Sequence, residues 1–314
     1  MELIRPGINI NFIGKRYHAL VFSGLMLFIG AVSLLMHGGP RYGVDFAGGI
    51  LVQIRFTQNV SAGDIKEALH PINLGDSVVQ QFEEKGQNEF LIQVQKKGVD
   101  VENINSSISQ ALAERFGENG FEVRRVEMVG PKVGKDLRRK GLMSIVYAVF
   151  FMLIYISWRF EFRFGVGAIL ALLHDVLITL GVFSLFNREV TLPIVAAFLT
   201  IVGYSINDTI VIYDRIRENR RKKPRDPLTE VINQSINQTL SRTILTSGTT
   251  LMVVLALFIY GGGVIHDFAF ALLVGVMVGT YSSMYVASPV LIFWEDIFPK
   301  HKKSKKRPRQ KLES

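Results

Sequence analysis

The 314-residue chain contains no cysteine, which excludes disulfide bonds and thiolate chemistry but does not identify the compartment. It also has no metal-ligand cluster and no nucleophile–base pair, so we predict no metal site, no cofactor and no catalytic residue. The first apolar run ends without a small-residue cleavage site, and we therefore expect it to be retained rather than removed as a signal peptide.

Hydrophobic residues make up 48% of the sequence and are gathered into long blocks with few charges. A helix that crosses a bilayer needs roughly 20 mostly apolar residues. Six blocks predict such spans, at residues 18–36, 142–158, 164–186, 191–213, 241–260 and 268–294.

The formal charge of +9 does not indicate nucleic acid, because the basic residues lie beside the predicted spans. Basic loops stay on the cytoplasmic side, which places there residues 1–17, the loop 214–240 and the tail 295–314. The tail holds eight basic residues between Lys300 and Lys311; anchoring to anionic lipids is the favoured role, and RNA or ribosome binding is the alternative. We expect a multi-pass membrane protein with both termini on the cytoplasmic side.

Residues 37–141, between the first two spans, predict a folded domain on the outer side of the membrane. Alternating apolar residues indicate strands at 50–56, 77–82, 89–94 and 121–128, and helical patterns cover 61–69 and 101–116. The order β-α-β-β-α-β is that of a ferredoxin-like α+β unit. Its fourteen basic residues balance fourteen acidic ones, which favours an interaction or mechanical module over an enzyme.

The segment Arg41–Gly49 joins the first span to the first strand, and its paired glycines permit a tight backbone turn. Asp45 is a candidate cap for that turn. A structural linker is the favoured interpretation, and ligand binding is the alternative.

Asp208 lies within the fourth span, where an ionised carboxylate costs about 2.5 to 3.5 kcal/mol on insertion scales. Helical spacing places it on a stripe that we expect to face inward, at a depth of about 7 to 8 Å from the cytoplasmic end. The other members of this stripe are Thr200, Tyr204, Asn207 and Val211.

Arg242 and Thr246 share a stripe of the fifth span with Thr249. We predict that Arg242 pairs with Asp208 and that protonation of the acid breaks the pair; snorkelling of Arg242 to the interface is the alternative. The segment 228–240 predicts an interfacial amphipathic helix, either a coupling element or a simple re-entry helix.

His174 and Asp175 form a second ionisable cluster, in the middle of the third span. Two interpretations stay open: a proton relay, or a hydrogen-bonded contact between helices. Gly275 and Gly279 in the sixth span, followed by Ser282 and Ser283, predict close helix packing.

Four motifs resemble the SecF family, the smaller member of the SecD–SecF pair that assists bacterial Sec protein export. The family signature GxDFxGG is matched by Gly43, Asp45, Phe46, Gly48 and Gly49, and its LHDV motif by Leu173–Val176. The most specific stretch runs from Gly203 through Ser205 to Val211 and on to Asn219, and Arg242–Thr250 completes the set. SecD lacks the Ser-x-Asn-Asp run, so the chain is more similar to SecF.

The resemblance implies an RND-type half of six spans that pairs with a separate SecD chain and uses a proton or sodium motive force in late steps of export. It implies proton flow at Asp208 and Arg242, and outer domains that hold emerging unfolded polypeptide. The implied partners also include the SecYEG translocon, YajC, YidC and membrane lipids. An ion-coupled exporter of small molecules or lipids and a scaffold without transport are the competing functions.

Overall fold

A computed structural model describes residues 9–82, 88–94 and 101–298. The eight basic residues predicted between Lys300 and Lys311 lie outside these residues. In chain order the elements are α1 (Arg16–Met36), α2 (Val44–Ala47), β1 (Gly49–Phe56), α3 (Ala62–Leu69), β2 (Val78–Phe82), β3 (Asn88–Val94), α4 (Val101–Phe116), β4 (Phe121–Val129), α5 (Pro131–Arg159), α6 (Phe162–Leu185), α7 (Leu192–Lys222), α8 (Leu228–Tyr260), α9 (Gly262–Ser282) and α10 (Ser288–Ile297).

The domain between the first two spans has the predicted order β-α-β-β-α-β, and its antiparallel sheet has the order β2-β3-β1-β4. Every second residue of β1, from Ile50 to Phe56, is buried against α3 and α4. Ser61 caps α3: its hydroxyl accepts from the Asp64 amide, and the Asp64 carboxylate accepts from the Ser61 amide. The ferredoxin-like α+β prediction is confirmed.

Within the described residues, six helices are long and apolar enough to cross a membrane. About half of α6, α7 and the sixth span is buried inside the bundle, whereas α1, α5 and α8 are largely exposed. The sixth span combines α9 and α10, which one π-helical turn at Ser283–Ala287 joins. The predicted polytopic helical fold is confirmed.

Small residues let the central helices approach closely. A Cβ atom added to Gly275 would lie 2.2 Å from Ile201 on α7, and one added to Gly279 would lie 3.0 Å from Ser205. The expected close packing at Gly275 and Gly279 is therefore present. Gly30 on α1 meets Gly181 on α6 in the same way.

The segment 214–240 differs from the expectation of a charged loop followed by an interfacial helix. Helix α7 continues to Lys222, because Glu218 pairs with Arg215 and Lys222 one helical turn away on either side. The amphipathic segment is the first part of α8, and its apolar residues Ile232, Ile236 and Leu240 pack into the bundle core rather than into lipid. Asn219 joins the two helices by donating to Ser235 (2.9 Å) and Gln238 (2.9 Å).

Candidate functional site

Asp208 is buried on α7 and faces α8. Its only hydrogen-bond contact among the described residues is the Ser247 hydroxyl of α8, at 3.3 Å. That hydroxyl also lies 2.7 Å from the Thr280 hydroxyl of α9, whose own proton is donated to the Val276 carbonyl. Because Ser247 carries one proton, it can donate either to Asp208 or to Thr280. Asp208 is therefore a weakly solvated acid that shares its single donor.

The predicted ion pair with Arg242 is not formed. The Arg242 side chain is exposed on α8, whereas Asp208 is buried on α7. The face of α8 that meets α7 carries Thr243 and Ser247, about 100° and about 140° around the helix from Arg242. Thr246 does not reach Asp208 either, since its hydroxyl donates to the backbone carbonyl of Arg242 (2.9 Å).

The polar stripe of α7 does not face inward as a whole. Asp208 is buried, but Thr200, Gly203 and Asn207 are exposed on the adjoining face, and Tyr204 is half-buried with an unpaired hydroxyl. The stripe was predicted inward because polar groups avoid lipid, and that argument fails when a second protein can cover them. Cβ atoms added to Gly203 or to Gly248 on α8 would meet no atom of the described residues within 4 Å.

Asp175, on α6, has a full set of partners and no exposed surface. One carboxylate oxygen contacts His174 Nδ1 (2.9 Å), and the other accepts from Ser205 of α7 (2.6 Å) and Ser282 of α9 (2.8 Å). His174 Nε2 contacts Ser23 of α1 at 3.1 Å. The cluster thus joins four helices, which favours the interhelical-contact interpretation over a relay.

The π-helical turn lies directly beside both acids. Ser282, just before it, donates to Asp175, whereas Ser283, its first residue, contacts Thr209 of α7 at 3.0 Å. Carbonyls that the wider turn frees are bonded by side chains: Ser288 donates to the Ser283 carbonyl and Tyr213 to the Ala287 carbonyl. π-Turns are frequent at functional sites.

The segment Tyr42–Gly49 joins the α+β domain to the start of α7. The Gly43 amide donates to the Val190 carbonyl (3.0 Å), and the Val190 amide donates to the Arg41 carbonyl (2.7 Å). A Cβ atom at Gly43 would lie 2.6 Å from Thr191, and Gly48 has a φ of +79° against Pro131 of α5. Phe46 is buried with Ile194 and Val195. We call residues 42–49 together with Val190–Leu192 the clasp.

The sequence predicted Asp45 as a candidate cap for the turn of its own segment, but its carboxylate bonds elsewhere. Its carboxylate accepts from the Leu192 amide (2.7 Å), the first residue of α7. There it also meets the positive end of the helix dipole. Nearby, burial raises the pKa of Glu189, an effect that Arg41 at 3.5 Å partly offsets.

Ser247, Ser23, Thr280 and Leu192 were not among the predicted site residues. The stripe Thr243–Ser247 lies one residue from the stripe chosen for Arg242, and the sequence offers no signal that separates the two.

Across the described residues, no three His, Asp or Glu side chains come close enough to hold a metal ion.

Comparison with known protein families assigns the chain to a family. Residues 108–296 match the family described as protein export membrane protein SecD/SecF, C-terminal, and residues 33–60 match the SecD/SecF GG motif. The protein translocase subunit SecF of Magnetococcus marinus is 48% identical over 94% of this chain and 95% of its own length. The chain belongs to the SecF family. Its role is that of an accessory subunit in Sec protein export.

Two further relatives place the family fold in context. SecF of Vibrio alginolyticus is 44% identical over 93% of this chain and 91% of its own. The crystal structure of SecDF from Thermus thermophilus, titled a translocon-associated membrane protein, superposes with a TM-score of 0.80 at 37% identity over 92% of this chain. This SecF-family chain spans only 39% of that SecDF chain.

Proposed function

We propose that the chain is one half of a SecD–SecF unit in the bacterial inner membrane. In this unit a proton or sodium ion exchanging at Asp208 drives late steps of protein export. The observation that carries the proposal is a buried acid with one shared donor, at the border of an exposed polar face.

The exposed polar face calls for a second protein. Thr200, Gly203 and Asn207 on α7 and Arg242 on α8 are all exposed in this chain. The Thr200 hydroxyl is bonded to the Ala196 carbonyl, but lipid would leave the Asn207 amide and the Arg242 guanidinium without partners. Open space at Gly203 and Gly248 suits the close approach of another helix. A six-span SecD half fits this face, and the SecDF relative supports such an arrangement.

Of the two buried acids, Asp208 is better suited to carry an ion. Asp175 accepts hydrogen bonds on both oxygens and holds helices together, so a change in its charge would break several contacts at once. Asp208 has one contact, at 3.3 Å, and lies next to the exposed Asn207. Once the partner half covers this face, Arg242 is free to swing toward the acid or away from it.

The clasp supplies a direct route from this site to the α+β domain. Asp45 and Gly43 hold the first turn of α7, the same helix that carries Asp208. Gly48 and Gly134 pack the clasp against α5, which continues from β4 of the domain into the membrane. A tilt of α7 on ion exchange would therefore be transmitted to the domain through short backbone contacts.

The ion gradient supplies the work. One charge that crosses a potential of 100 mV releases about 2.3 kcal/mol, and a few ions per cycle can move a packed domain between two states. With the domain in the periplasm and both termini in the cytoplasm, the moving part meets the emerging unfolded polypeptide. We propose SecYEG, YajC and YidC as the further protein partners of the SecD–SecF unit in the membrane.

The test uses vesicles that contain the chain, SecD and the SecYEG translocon. A proton or sodium gradient should accelerate completion of preprotein export, and Asp208→Asn should remove that acceleration while the gradient-independent part stays. Full acceleration with the Asp208→Asn chain would overturn the proposal.

A further inference from the structure

A basic pocket lies at the end of the bundle opposite the α+β domain. It encloses about 480 Å³ between the last residue of α5 and the last turns of α7. Its lining consists of Arg159, Asp214, Arg217, Glu218, Arg221 and Lys222. Four cations against two carboxylates leave a net charge of +2. Neither the acid sites nor the clasp involves these residues.

The pocket is built rather than incidental. The Arg217 guanidinium donates to the Arg159 carbonyl (3.4 Å), which fixes α7 against the end of α5. Glu218 is neutralised by Lys222 (2.6 Å) and Arg215 (2.9 Å), and Asp214 lies 3.8 Å from Arg159. Arg221 has no ion pair among the described residues and is exposed. The cations therefore outnumber the available internal anions.

An apolar face leads directly from the pocket into the membrane region. Arg159 shares one face of α5 with Tyr155 and Phe151, at positions i−4 and i−8, and both rings are exposed. Next to Arg159, Trp158 is 85% exposed, the position at which aromatic residues mark the membrane interface. A cationic pocket above an exposed apolar strip matches an amphiphile with an anionic head.

We propose that this pocket binds the phosphodiester headgroup of an anionic phospholipid, with an acyl chain along Tyr155 and Phe151. Guanidinium groups bind phosphate oxygens through paired hydrogen bonds, and a pocket of this size holds a glycerophosphate group. Basic pockets between spans on the cytoplasmic side bind such headgroups in other membrane proteins. Free phosphate shares the head chemistry but would make no use of the apolar strip.

The experiment is native mass spectrometry of the full chain released from vesicles of phosphatidylcholine and phosphatidylglycerol. The pocket variant is Arg159→Gln, Arg217→Gln, Arg221→Gln. The matched control is Arg220→Gln, Lys223→Gln, Arg225→Gln, which removes the same charge from the same region without touching the pocket lining or its ion pairs. We expect the pocket variant to lose retained phosphatidylglycerol by at least about tenfold and the control by less than about twofold.

Three results would overturn the proposal: equal losses in both variants, retention of phosphatidylcholine as strong as that of phosphatidylglycerol, or no loss in the pocket variant. A second arm adds inorganic phosphate to lipid-free protein in detergent. If phosphate alone raises the melting temperature as much as phosphatidylglycerol does, the lipid assignment is wrong. Should the triple variant unfold, Arg221→Gln alone decides, because Arg221 makes no ion pair in the described chain.

Discussion

At the scale of single residues, the two buried acids differ in the number of groups that hold them. Asp175 contacts His174, Ser205 and Ser282 at 2.6 to 2.9 Å, whereas Asp208 contacts Ser247 at 3.3 Å. We therefore expect the aspartate on α6 to act as a structural contact and the aspartate on α7 to be the group that exchanges an ion. Substitutions at the two positions should separate stability from transport.

Asp175→Ala should destabilise the chain, because it leaves the Ser205, Ser282 and His174 donors without their acceptor. We expect a loss of about 1 to 3 kcal/mol in the free energy of unfolding, measured by denaturant titration in detergent. Asp208→Asn is the matched control and should change this free energy by much less. Equal losses for the two variants would contradict the distinction between the acids.

Among the helices and turns, the clasp and the π-helical turn are the features that connect distant parts. The clasp holds the domain to α7 through Asp45, and the π-turn holds α6 and α7 to the sixth span through Ser282 and Ser283. Both features are held by hydrogen bonds to residues that are distant in the sequence.

Asp45→Ala should uncouple the domain from α7. Loss of the cap to the Leu192 amide costs about 0.5 to 2 kcal/mol locally, so hydrogen exchange of that amide should accelerate. In vesicles with SecD and the translocon, ion flux should persist while gradient-driven export falls. Asp76→Ala, an exposed position in the same domain, should change neither quantity. Undiminished export with Asp45→Ala would argue against the clasp as the coupling route.

Tyr213→Phe should loosen the π-turn, because it removes the donor to the Ala287 carbonyl. A loss of about 0.5 to 2 kcal/mol in unfolding free energy is expected for a buried hydrogen bond between spans, together with faster amide exchange across residues 283–288. Tyr147→Phe, at an exposed tyrosine of α5, is the control and should leave both unchanged. If the two variants behave alike, the tyrosine hydroxyl does not support the turn.

At the scale of the whole molecule, α7 and α8 present a polar face that this chain leaves uncovered. The absence of cysteine permits a clean crosslinking test. Asn207→Cys on α7 should crosslink to single cysteines in the middle spans of SecD, whereas Phe151→Cys on the exposed face of α5 should not. The readout is a gel band of higher mass that disappears when reducing agent is added. The reverse pattern would place SecD against α5 and contradict its proposed position on α7 and α8.

Much of the fold could be predicted from the sequence because its signals are local. Alternating residues at 50–56 and the Ser61 cap each act within one element, and the six apolar runs identify themselves by length. The ends of the spans were less predictable. Hydropathy falls where α7 acquires charges after Tyr213, but ion pairs around Glu218 continue the helix to Lys222.

The candidate site was predictable in its acids but not in their partners. Asp208 and Asp175 are conspicuous because charged groups are rare in spans. Choosing between Arg242 and Ser247 as the neighbour of Asp208 requires the rotation of α8, which packing sets and the sequence pattern does not. Asp45 meets Leu192 across 147 positions of the chain, a distance that no local signal covers.

The proposal that an ion exchanges at Asp208 is best tested by measuring ion movement itself. Sealed vesicles that contain this chain, SecD and the translocon, with an exporting preprotein added, are given a proton or a sodium gradient, and internal dyes report the flux of each ion. We expect an export-dependent flux of one of the two ions, which Asp208→Asn abolishes and Asp208→Glu partly retains. Unchanged flux with Asp208→Asn would show that the ion travels elsewhere.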